Sequence, residues 1–147
     1  MRKFQFRLQT VLDQRKSRED RLQIELGEIK REEAREAARL AHLQRRLIEA
    51  GALIIQALMR NLPGDELERR DEYAKATRDD IKVQQLTLQA VRERVEAKRV
   101  ELVEAIKERK VLEAFRDKQE WTYVQACARA EQNELDAMAS VRYAREM

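Results

Sequence analysis

The chain has 147 residues, of which 40% are Asp, Glu, Lys or Arg and 5% are aromatic, with three glycines and one proline. Globular domains carry roughly 25% charged residues and about 12% Gly plus Pro, so this composition excludes a wide globular core. It favours long helices sharing a narrow apolar seam. The 31 basic and 28 acidic residues interleave to a net charge of +3. No block of like charge forms a polybasic arm, which disfavours nucleic acid as a partner.

The opening stretch MRKFQFRLQT lacks the apolar core of a signal peptide. The longest apolar run, around ALII, falls far short of the ~20 residues of a membrane span, so no direct membrane insertion is expected. A lone cysteine cannot form an internal disulfide and fits a reducing compartment. Together these point to a soluble, cytoplasmic chain.

The first predicted helix runs from about residue 4 to 60. Its apolar residues recur at 4,3 spacing: Leu8, Leu12, Leu22, Leu26, Ile29, Leu40, Leu43, Leu47, Ala50, Ile54 and Ala57. Arg15, Glu19, Glu33 and Glu36 interrupt this register. Beside the second gap, Ala34, Ala37, Ala38 and Ala41 offer a parallel stripe of small residues, as though the seam drifts or thins there. The segment reads as an amphipathic helix with a seam that one partner could cover.

Residues 61–65 hold the turn. Leu62-Pro63-Gly64-Asp65 suits a type II turn, with Pro63 pre-setting φ and Gly64 accepting φ > 0. Asp65 is a candidate N-cap, with Glu68 placed to complete a capping box. A short connection between amphipathic helices favours antiparallel neighbours, so the expected fold is all-α, a two-helix coiled-coil hairpin forming a single domain over 1–147. Closure through a tight turn is cheap in entropy, which favours a monomeric hairpin over two straight helices that each dimerise with another chain.

The second predicted helix runs from about 66 to 144. Leu67, Ala74, Ile81, Leu88, Val91, Val95, Leu102, Ala105 and Leu112 hold its register, and Gln84, Lys98, Arg109 and Arg116 intrude. About 57 residues precede the turn and about 80 follow it, roughly 85 Å against 120 Å at 1.5 Å per residue. Pairing about Gly64 sets Phe4 near Thr122, so Phe4 and Phe6 are expected to pack near Trp121 and Tyr123. Beyond that point Cys127, Leu135, Met138 and Val141 keep helical spacing without an intramolecular partner, which favours another protein as their cover.

Nothing in the residues supports catalysis, a cofactor or a metal site. His42 is the only histidine and reads as a solvated surface residue. Cys127 lies on an apolar stripe without a second Cys or His nearby. Pairs such as Glu32-Glu33 are what any charged helix displays, and no glycine loop binds phosphate. The segment GALIIQALMRNL (51–62) leaves two readings open. Ile54, Ile55, Leu58, Met59 and Leu62 either cap the hairpin against Leu67 and Tyr73 or form a partner-binding patch.

FQFRLQTVL (4–12), RKVLEAFRDKQ (109–119) and EQNELDAMA (131–139) resemble the corresponding ends of the flagellar export protein FliJ family. That resemblance implies an antiparallel two-helix coiled coil similar to the γ central stalk of rotary ATPases. It implies a cytoplasmic protein, peripherally associated with the inner membrane, that inserts its paired termini into the hexameric export ATPase. Contact with the export-gate membrane protein FlhA and handling of export chaperones are implied too. On this resemblance the ring contacts would be Phe4, Phe6, Leu8, Arg109, Lys110, Glu113, Arg116, Lys118, Leu135 and Met138. The gate contacts would be Leu43 and Tyr73, with Thr77 at a further position of that patch. The rivals are an injectisome stalk homologue and a structural coiled-coil spacer without a motor partner.

Overall fold

A computed structural model describes residues 2–147. These form two helices, α1 (Gln9–Met59) and α2 (Gly64–Glu146), packed against each other as a helical hairpin. The cross-helix contacts pair ascending positions of α1 with descending positions of α2, from Glu25–Lys98 through Glu32–Arg94 to Arg46–Tyr73, so the helices are antiparallel.

The predicted seam is the seam observed. Leu12, Leu22, Leu26, Ala50 and Ala57 of α1 are buried, as are Ala74, Ile81, Leu88, Val91 and Ala105 of α2. The polar residues that interrupt the register do not displace it, because all eight remain half-buried on the seam. All but Arg116, which pairs with its neighbour Asp117, have a partner across it. Glu19 meets Arg109, and Gln84 donates to the Glu36 side chain and, at 3.0 Å, to its carbonyl. In both cases an interruption on one helix answers an interruption on the other. Arg15 reaches Glu108 at 2.8 Å, and Lys98 reaches Glu25 at 2.9 Å. Of the alanine stripe, Ala34, Ala38 and Ala41 are exposed and only Ala37 is half-buried, and the seam stays on Glu33 and Glu36.

Contacts group into two units. In the turn unit (Leu22–Leu102), the connection differs from the expected type II turn. Gly64 does not adopt positive φ; the left-handed residue is Asn61, at φ 51°. Asn61 N–H bonds to Leu58 C=O at 3.3 Å, and Leu62 N–H bonds to Ala57 C=O at 3.1 Å. This is a Schellman motif with asparagine at C′, so α1 stops on its own cap rather than at the proline. Pro63 is the N-cap residue of α2, its carbonyl accepting from Glu66 and Leu67 at 3.1 and 3.2 Å. Gly64 therefore opens the helix, and Asp65 lies inside the first turn with Glu66. Their charges favour the positive end of the helix dipole, replacing the expected capping box.

The terminal unit (up to Arg21, with Val103–Met147) also begins differently from expectation. α1 starts at Gln9 rather than near residue 4. Before it, Phe6 is buried and Phe4 and Leu8 half-buried, whereas Gln5 and Arg7 are exposed. That alternation has a period of two, which sets the two phenylalanines on one side; a helix would swing them about 200° apart.

Candidate functional site

In the terminal unit, Phe4 packs on Tyr123 with ring centroids 5.6 Å apart, and Phe6 meets Phe115 edge-on at 5.9 Å. The Tyr123 hydroxyl donates to the Arg2 carbonyl. The neighbouring Cys127 thiol and partial burial hold that hydroxyl above the usual tyrosine range. A shallow groove beside these rings is lined by Phe4, Phe115, Lys118 and Thr122. Trp121, expected in this cluster, stays 65% exposed. Residue 121 lies two positions from Tyr123, hence about 200° around the helix from it.

The sequence-predicted ring contacts divide into two groups. Phe6 is buried by the hairpin's own packing, and Phe4 and Leu8 are half-buried. Arg109 pairs with Glu19 and with Glu113 at 2.8 Å, and these acids, Glu19 foremost, hold its guanidinium above the ordinary arginine range. Arg116 is half-buried beside Asp117. Lys110, Lys118, Leu135 and Met138 are exposed. The exposed group is free to meet another molecule; the charges of Arg109 and Glu113 are already neutralised inside the chain.

From Ala128 onward every residue of α2 is exposed. Leu135, Met138 and Val141 retain 60%, 63% and 52% of their accessible surface. A helix of this composition is not held by propensity alone; lasting helicity normally needs an apolar face to be covered. The uncovered face is thus the feature of the terminal unit most in need of a partner.

In the turn unit, Leu43 is half-buried and lines a groove with Ala38, Arg39, His42 and Gln84. Tyr73 is exposed and lies under Arg46, whose guanidinium donates two hydrogen bonds to its hydroxyl, at 3.0 and 3.1 Å. Thr77 is unsuited to an exposed patch: it is 2% exposed, a seam residue whose hydroxyl donates to the Tyr73 carbonyl. Of the apolar tip residues, Ile54 and Leu62 turn inward while Leu53, Ile55, Leu58 and Met59 remain exposed. Arg70 spans this end by donating to the Leu53 carbonyl at 2.6 Å while bonding Glu66. Sequence reasoning passed over Leu53 and Arg70. The period-3.6 count could have found Leu53, since it lies off the seam, but a main-chain contact such as Arg70 makes leaves no trace in a residue pattern.

Among the described residues no helix is long and apolar enough to cross a membrane. Residues 4–147 match the family described as flagellar FliJ protein. No curated protein and no solved structure matches the chain.

Proposed function

The chain belongs to the flagellar FliJ protein family, and we propose that its terminal unit is the shaft that docks into the hexameric export ATPase. Family membership makes it a component of the flagellar export apparatus. The observation that carries the finer reading is the uncovered apolar face after Ala128, continuous with a hairpin end whose own seam is closed. Leu135 and Met138 supply the apolar contacts of this docking. Lys110 and Lys118 supply exposed charges, each pair worth about 0–1 kcal/mol, weak enough for a shaft that must turn or release.

Leu43 and Tyr73 in the turn unit are the contacts proposed for the export-gate protein FlhA, and handling of export chaperones completes the role. The protein acts at the cytoplasmic side of the inner membrane, without inserting into it, and performs no catalysis itself. The test is stimulation of the purified export ATPase by the full chain and by the Leu135→Asp/Met138→Asp variant. A rise of about tenfold or more in the concentration needed for stimulation is expected, equivalent to ~1.4 kcal/mol. Stimulation equal to that of the unaltered chain would sink the reading.

A further inference from the structure

The charges on the uncovered face are segregated by sign. At 100° per residue, Glu131, Glu134, Leu135, Val141, Arg142 and Arg145 all lie within about 60° of Met138. On this face the acids precede Met138 and the bases follow it. Arg129 and Asp136 fall about 160–180° away on the far side, and Glu146, an acid after Met138, lies about 80° off, outside this face. The ion pairs among the described residues reach no further along the chain than Asp117, so these four face charges have no partner in the hairpin.

The arrangement is also symmetric in sequence. Positions 131 and 145 each lie seven from Met138, positions 134 and 142 four, and positions 135 and 141 three. Turning an identical segment end for end about Met138 sets Leu135 against Val141 and Met138 against itself. It also sets the acidic end of each helix against the basic end of the other. A parallel pairing would oppose acid to acid and base to base, which charges flanking a helix seam strongly disfavour. A two-fold interface requires just such self-complementarity, in which residue i meets j and j meets i.

We propose that α2 pairs antiparallel, through this face, with the same segment of a second copy of the chain, the two-fold axis passing at Met138. The hairpin fold is complete in one chain, and only the terminal segment takes part. The apolar seam is short, so the association is weak, with Kd on the order of 0.1–1 mM. Because it covers Leu135 and Met138, the paired form and any form bound through those residues exclude each other. The pairing itself rests on the charge order of the face and not on the identity of another partner.

Sedimentation velocity on the full chain, from about 10 μM to about 1 mM, tests it. The unaltered chain is expected to shift from monomer toward dimer across that range, with the shift weakened by added salt. Glu131→Arg/Glu134→Arg makes the face wholly basic, and Arg142→Glu/Arg145→Glu makes it wholly acidic. Each alone should raise Kd about tenfold or more. Mixed together they should associate at least as tightly as the unaltered chain, and so should a single chain carrying all four changes. These positions are exposed, and unchanged circular dichroism would show that the helices persist. A chain that remains monomeric to 1 mM would overturn the proposal and leave the face to a different protein. Dimers that persist undiminished in both double variants would overturn it equally.

Discussion

Two stretches of α2 have much the same composition and opposite fates. From Ala74 to Leu112 the helix has α1 beside it, and its polar interruptions find partners there: Gln84 on Glu36, Lys98 on Glu25, Arg109 on Glu19. From Ala128 to Met147 the same mixture of acids, bases and spaced apolar residues has nothing beside it. A charged residue on a helix is thus neither a seam residue nor a solvated one by its own nature. What lies across from it decides, because a half-buried charge is tolerable only when its hydrogen bonds are made.

The sharpest break of this comparison is a matched pair of truncations. Leu12 is fully buried, so Leu12→Ala should cost about 2–5 kcal/mol in urea unfolding. Leu135→Ala, in the uncovered stretch, should stay within about 0.5 kcal/mol at micromolar concentration. Equal costs would mean that α2 is covered where it is bare here.

The turn gives two substitutions of opposite sign. Asn61 holds φ 51°, a conformation that asparagine enters more readily than alanine because its short polar side chain bonds locally, so Asn61→Ala should destabilise by up to about 1 kcal/mol. Gly64 has no positive φ, and a β-carbon there would meet nothing within 4 Å. Gly64→Ala should therefore stabilise by about 0.4–1 kcal/mol, chiefly by restricting the unfolded chain. A type II turn would demand a loss at Gly64, so the sign of that single change separates the two geometries.

A smaller effect is expected at Thr77, whose buried hydroxyl bonds only to a carbonyl of its own helix. Thr77→Val, nearly isosteric, should be neutral or stabilising by up to about 1 kcal/mol in the same assay. A loss above about 1 kcal/mol would mean that the hydroxyl has a cross-helix role.

The ion pairs add a dependence on pH. Glu25, whose hydrogen bond is the largest cause, raises the Lys98 pKa above its ordinary value against opposing desolvation. A raised pKa in a base gives stability that is fully present below the unfolded value, near 10.4, and is lost as pH rises through the folded value. The stability difference between the unaltered chain and Lys98→Met should accordingly be flat from pH 7 to about 9 and shift against the unaltered chain above about 10.4. A difference that changed through neutral pH would point to a different titrating group.

Much of the fold was legible because it is local. Helix composition, the 4,3 spacing and the seam from Leu12 to Ala105 follow from a period that a helix imposes on its own sequence. The alternation of Phe4, Phe6 and Leu8 was legible as well, though a helix reading obscured it, since a period of two holds for only one short stretch. The candidate site was less so: the pattern names Leu135, Met138 and the charges around them as a face, yet it equally names Phe6 and Arg109. Only packing separates a residue used up inside the hairpin from one left for another molecule.

The sequence alone determined that two amphipathic helices meet along one register, and which residues line it, because periodicity and propensity act within a few residues. Tertiary structure decided the rest. It set which apolar positions are used up, burying Phe6 and leaving Leu135 bare, whereas the stop of α1 at Asn61 is a local cap closed within Ala57–Leu62. It also set which interruptions of the seam answer one another, since a cross-helix hydrogen bond depends on where the opposite chain places its partner.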